Sequence, residues 1–466
     1  MQIIKMKHLK LFFFFVSAAF AFAAFNSDCT NIQWGTKTLY HPLQTDYSAQ
    51  PNGYEAVYIN YVGRHGARHV SGIDEISNMF LLLRIAQQEN ALTEKGKTLK
   101  KMDSLLIIIE TGNDGLISEI GKHEQESIGE RMGKNYPEVF NAGNIKISTT
   151  KKERTKQSAR AFIQGLKPGE NILVDSIIID QTHLAFYDDA PSYKKYEEDG
   201  SWKVLWEKIK SSQKVAKLEQ ELPKQFFTPD FISKMNSGQI QLPSDKDSII
   251  YTSGSFIESF YGGCSIIPSI KLEIENAVIQ KKEINFASLV SDEDLKVLDY
   301  VNTAEDFLLK GPATDPNGIQ VKIAAPLLLG FLNSTEEYIS SGKTIADLRF
   351  AHAETISPFA VLLGITGASE PVSIENILDF NKAWKCENII PLSANIQWIL
   401  YHNKKKGDFL IKFLLNEKEV TINGLNDCGI PYYYRWNDVN EFYTKKLEKL
   451  GVHPGDDMQE YLLNVN

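Results

Sequence analysis

The stretch "INYVGRHGARHVSG", Ile59–Gly72, decides how this chain is read. Its first half continues "AVYINYV", Ala56–Val62, a run of β-branched and aromatic residues that reads as a buried strand. Its second half carries Arg64, His65 and Arg68 around Gly66. Charged groups are costly to bury unless they are paired. A core strand that runs into two guanidiniums therefore calls for an anion. Guanidinium forks match phosphate bidentately, and Gly66 lets the backbone approach a bound anion closely. Neighbouring positive charge lowers the pKa of an imidazole. His65 is then held neutral, and a neutral imidazole aimed at phosphorus is a competent nucleophile.

The same strand–turn–helix scheme recurs twice. "NIKISTT", Asn144–Thr150, alternates as a strand does, and "TKQSARAFIQGLKPG" follows as a helix with Ala159, Phe162 and Leu166 on one face. Arg154 lies at that junction, where it can add a third guanidinium to the same anion. Lys151, Lys152 and Lys156 beside it are candidates for contacts to further phosphates, as is His69. "DLRFAHAETISPFAVLLG" gives a short strand at Leu348–Ala351, a polar turn with His352 and Glu354, and an apolar helix. His352 can donate to a phosphate, and Glu354 can protonate a departing oxygen. "DFLIKFLLN" and "EVTING" read as a hairpin.

Strands alternating with helices imply an α/β sheet domain with flanking helices. Ligands bind at the carboxyl ends of strands in such sheets, which is where all three charged segments begin. Residues 187–316 have helical spacing with little strand signal and read as an α-helical insert. The α/β domain then comprises 25–186 and 317–466.

The composition, 43% hydrophobic and 23% charged over 466 residues, is that of a globular protein. Lys5, Lys7 and Lys10 precede a run of about 15 mostly apolar residues and an A-x-A-like site, which together read as a signal peptide over residues 1–24. The run is short of the ~20 residues of a spanning helix, so the expectation is a periplasmic or secreted protein without stable membrane association. The formal charge is −9 before loss of those three lysines, and an acidic chain is a poor nucleic-acid binder. Cys29, Cys264, Cys386 and Cys428 are an even number in an exported chain, so two disulfides are expected. His65 and His69 are spaced i, i+4, but without the intervening glutamate of a zincin, and no C-x-x-C is present, so no metal is expected.

Taken together, Arg64, His65, Gly66 and Arg68 (R-H-G-x-R), Thr149–Ser158 around Arg154, and His352-Ala353-Glu354 resemble the histidine phosphatase superfamily, in its acid phosphatase and phytase branch. Thr149 stands where that family's S-T-x-x-x-R-x-x-x-S begins. "GLISEIGKHEQESIGERMGKNYPEVF", "IIPLSANIQWILY" and "FLLNEKEV" also resemble family segments. The H-A-E turn is similar to that of the multiple inositol polyphosphate phosphatases, where many relatives have His-Asp. The resemblance implies hydrolysis of inositol polyphosphates, phytate above all, through a phosphohistidine on His65. It implies Glu354 as acid, Arg64, Arg68, Arg154 and His352 as phosphate ligands, and no metal or organic cofactor. A broad acid phosphatase and a non-catalytic inositol-phosphate binder are the alternatives. One departure stands out: Val70 occupies a position where the family often has proline.

Overall fold

In the computed structural model, which describes residues 33–243, 248–277 and 284–466, the central strand is β1 (Glu55–Arg64). From Tyr58 onward every one of its residues is buried, as expected of a strand covered on both faces. The remaining strands are β2 (Gly143–Thr149), β3 (Ile172–Val174), β4 (Ile178–Ile179), β5 (Gln241–Pro243), β6 (Ser248–Ile250), β7 (Thr344–Ala351), β8 (Asn395–Asn403), β9 (Asp408–Leu415), β10 (Lys418–Glu419) and β11 (Tyr433–Arg435). Nine form one sheet in the order β10-β9-β8-β1-β7-β2-β3, with β11 on β9 and β4 on β2. β5 and β6 pair separately. The β7-β2-β3 side of β1 is parallel, and the β8-β9-β10 side is antiparallel.

Register brings the charged segments together. Arg64 at the end of β1 pairs with Ala351 at the end of β7, and Thr149 of β2 pairs with Phe350. Three strand ends, followed by Arg64–Arg68, by Arg154 and by His352–Glu354, thus share one edge of the parallel half. Between β1 and β2 lie α1 (Asp74–Gln88), α2 (Glu94–Glu110) and α3 (Glu119–Asn135), and α4 (Glu153–Leu166) follows β2. α3 and α4 cover one sheet face, where Tyr61, Phe162 and Phe350 form an aromatic triangle with centroids 5.0–5.5 Å apart. On the other face the helix Ala325–Ser341 sends Phe331 onto Trp398 of β8 and onto Phe359.

Among the described residues from Gln181 to Ser341, the regular elements are helices apart from the β5–β6 pair. Residues 33–466 cluster as one compact unit. The leader and Cys29 lie outside the described residues. The two expected disulfides are corrected: Cys264 and Cys386 are buried free thiols, and Cys428 is a half-buried one. They sit in the helix Ser253–Ile266, at the start of Cys386–Ile389 and in the loop before β11. A domain of this length buries enough apolar surface to fold without cross-links.

Candidate active site

His65 leaves the end of β1 with its backbone N–H bonded to the Ala351 carbonyl, 3.0 Å away. The ring is buried, and Nδ1 lies 2.9 Å from the Gly66 carbonyl. A carbonyl only accepts, so Nδ1 carries the proton and Nε2 keeps its lone pair. Burial, then Arg64, Arg154, His352 and Arg68, hold the pKa of His65 well below its ordinary value. The imidazole is therefore neutral and oriented, with the lone pair left on Nε2.

The loop Arg64–Val70 is fixed from several sides. Gln125 of α3 donates to the Arg64 carbonyl at 3.0 Å, and Glu124 accepts from the Ala67 N–H at 2.8 Å. The Gly66 N–H donates to Ser158 of α4 at 3.0 Å. Gly66 is also needed for packing. A Cβ there would come 2.5 Å from the Gly121 carbonyl, and one at Gly121 would come 2.0 Å from that of Ala67. The loop backbone therefore approaches α3 closely. Val70 has a reason too. Its N–H donates to the buried carboxylate of Glu110 at 3.0 Å, a bond that proline cannot make.

Among the described residues no carboxylate forms an ion pair with Arg64, Arg68 or Arg154. Arg64 is buried and donates from Nη1 to the carbonyls of Thr36 and Ile390, while its Nε has no partner. Arg154 also buries an unpartnered Nε. Half-buried Arg68 donates to the His69 carbonyl at 2.6 Å. Burial lowers the pKa of Arg68 to about 10, with Arg154 and Arg64 adding to the effect. Buried donors without acceptors are costly, and a tetrahedral anion would satisfy several at once.

His352 caps the helix Ala353–Leu363, and its ring lies 5.5 Å from that of His65. Burial and then Arg154 lower its pKa to about 3, so it too is neutral. Its Nε2 is 2.9 Å from the Thr150 hydroxyl, a partner that only the "STT" run could have hinted at. Glu354, in the first turn of that helix, pairs at 3.0 Å with Lys310, which also holds Asp306 at 2.7 Å. Burial pushes the Glu354 carboxyl upward, but Lys310 and His352 outweigh it and hold it well below the usual carboxylate range.

The family model described as histidine phosphatase superfamily (branch 2) matches residues 57–416. The chain belongs to that superfamily. It is 24% identical to multiple inositol polyphosphate phosphatase 1 of Gallus gallus over 339 residues, 70% of this chain and 68% of that protein. Among solved structures, the multiple inositol polyphosphate phosphatase of Bifidobacterium longum in complex with inositol hexasulfate superposes with a TM-score of 0.76 at 21% identity, covering 89% of this chain and 97% of that one. The phytase from D. castellii gives a TM-score of 0.65 at 13% identity over 93% and 88%. The mixed α/β architecture is that of these histidine phosphatases.

Within this histidine phosphatase the other candidates divide. Lys151 and Lys152 are exposed at the rim before α4, and half-buried Lys156 lies 3.5 Å from Glu153. The ring nitrogens of His69 face Glu110 at 3.3 Å and Glu273 at 3.7 Å. Sequence reasoning missed Lys37. Burial and then Arg68 lower its pKa to about 8, with Arg64 also acting on it. It lines a cavity of about 290 Å³ with Thr36, Glu75 and Asp306. Among the described residues, no group of three or more His, Cys, Asp or Glu side chains is placed to hold a metal ion.

Proposed function

We propose that the protein is a phosphomonoesterase acting on inositol polyphosphates, phytate foremost, through a phosphohistidine. One observation carries the reaction. A buried, neutral His65 with its Nε2 free stands among guanidiniums whose buried Nε atoms lack partners. Arg64, Arg68, Arg154 and His352 would hold the non-bridging oxygens of one phosphate. Nε2 attacks phosphorus and the P–O bond to the ring carbon's oxygen breaks. That oxygen leaves with a proton from Glu354. Water then attacks the phosphohistidine, gives its proton to Glu354 and releases phosphate, returning His65.

The substrate class is supported by the likeness to multiple inositol polyphosphate phosphatases and by the rim of lysines. Export to the periplasm or beyond is proposed on the pattern of Lys5, Lys7 and Lys10 before an apolar run. N-terminal sequencing of the exported protein tests it, and a start at Met1 would refute it. The function is tested by incubation with phytate without added metal. Phosphate release and an acid-quenched phosphohistidine on His65 are expected. Equal or better turnover of p-nitrophenyl phosphate would favour a broad acid phosphatase, and binding without turnover a non-catalytic binder.

A further inference from the structure

Glu354 has to lose a proton to the leaving oxygen, yet the free protein holds it as a carboxylate. The cause is geometric. Lys310 follows the helix Asp292–Leu309, and its ammonium lies 3.0 Å from Glu354 and 2.7 Å from Asp306. Lys310 is only 18% exposed in its side chain, whereas Glu354 is 35% exposed. The lysine thus has two carboxylates and little water, and the Glu354 carboxylate is the more exposed partner. Such a pair leaves Lys310 charged throughout the accessible pH range.

The place of this pair matters because of what a polyphosphorylated ring brings to it. A general acid must touch the leaving oxygen. On an inositol ring the neighbouring carbons carry the next phosphates, one bond beyond the carbon that bears that oxygen. A lysine in contact with the general acid is therefore within reach of a second phosphate. Ammonium-to-phosphate contacts are charge-assisted and compete well with a carboxylate.

We propose that Lys310 is a specificity switch: a second phosphate of the substrate draws its ammonium from Glu354 to itself, and the released carboxylate then takes up a proton from solvent and passes it to the leaving oxygen. This rests on the reading of Glu354 as general acid given above. Lys310 acts through Glu354 and is a positioning residue. The charged and titratable groups facing Glu354 are Lys310 and Asp306 on one side, Arg64 and Arg68 from the loop after β1, and Arg154 of α4. Tyr187, Tyr193 and its own neighbour His352 complete them. Of these, only Lys310 and Asp306 form the ion-pair chain that a second phosphate can break.

The test is single-turnover alcohol release against pH, by rapid quench, for inositol hexakisphosphate and for glycerol 2-phosphate. Both leave as poor alkoxides, but only the first carries further phosphates. Activity that needs protonated Glu354 falls as pH rises through its pKa in the complex. In the wild type the fall is expected at higher pH for the hexakisphosphate, by about 1–3 units, the scale of one close opposite charge. In Lys310→Gln the glycerol phosphate limb moves up and the separation collapses, whereas Lys310→Arg keeps it. Coincident limbs in the wild type overturn the switch, and need no variant. A separation that survives in Lys310→Gln also overturns it, because the substrate's own charge then suffices. If the hexakisphosphate gives no phosphoenzyme at all, the substrate reading fails. The glycerol phosphate limb then decides: an upward move in Lys310→Gln supports the hold of Lys310 on Glu354, and no move refutes it.

Discussion

The loop that follows β1 and the turn that follows β7 hold the two ends of the reaction by different means. Around His65 the backbone is tied to α3, α4 and β7, and the ring already has the tautomer that attack requires. Around Glu354 the side chain is paired with Lys310, in the protonation state that the proposed first step cannot use. In the proposed reaction the nucleophile is preorganised, so its chemistry would be available to any phosphate that enters. The acid would have to be changed before it acts, which would make the leaving group the place where substrates are told apart.

Breaking the rigid half should have the largest effect. His65→Ala should lower turnover by at least ~10³-fold, as removal of covalent nucleophiles does. Phosphate should still bind, because the arginines remain, and calorimetric titration would detect it. Near wild-type turnover would remove His65 from the nucleophile role.

Breaking the adjustable half should depend on the substrate. Glu354→Gln should slow inositol phosphate hydrolysis by ~10² to 10⁴, the range of general acid catalysis. The burst of nitrophenol from p-nitrophenyl phosphate should fall far less, since nitrophenolate leaves without a proton. Equal losses of both would make Glu354 structural.

A third change sharpens the comparison from the side of packing. Gly66→Ala places a methyl group against the Gly121 carbonyl, and overpacking of this kind costs ~1–3 kcal/mol. Denaturant unfolding should show that loss, with a fall in activity toward every substrate alike. The smallest effect concerns the cysteines. Reductant should leave thermal stability unchanged, and thiol titration of the denatured, unreduced protein should find the free thiols of Cys264, Cys386 and Cys428.

The parts of this contrast that sequence made legible are those governed by local pattern. β1, β2 and β7 were visible as apolar runs, α4 and the helix from Ala353 as periodic segments, and the strand ends as the places where Arg64, Arg154 and His352 fall. What stayed hidden depends on partners far along the chain. Lys310 is a lone lysine in "FLLKGPATD" until folding sets it against Glu354. Lys37 carries no local signal of the site, and Thr150 carries only its place in the "STT" run. The crowding of Gly66 against α3 has no local signal either, because Gly121 lies far along the chain. His69 looked like one more basic residue of a phosphate loop, and only folding sets Glu110 and Glu273 against its ring. The cysteine count suggested cross-links because parity ignores where the thiols end up.

The strand order also sets a timetable. β1 finds its neighbours only in β7 and β8, and about 280 residues separate its end from the start of β7. At ~5–20 residues per second, the strand bearing the nucleophile waits roughly 15–60 s on the ribosome before either neighbour exists. A nascent chain stopped short of Asn395 would carry Arg64, His65, Arg154 and Glu354 but lack one whole flank of its central strand. Synthesis of this protein therefore leaves an apolar strand without its sheet neighbours for more than half of its duration.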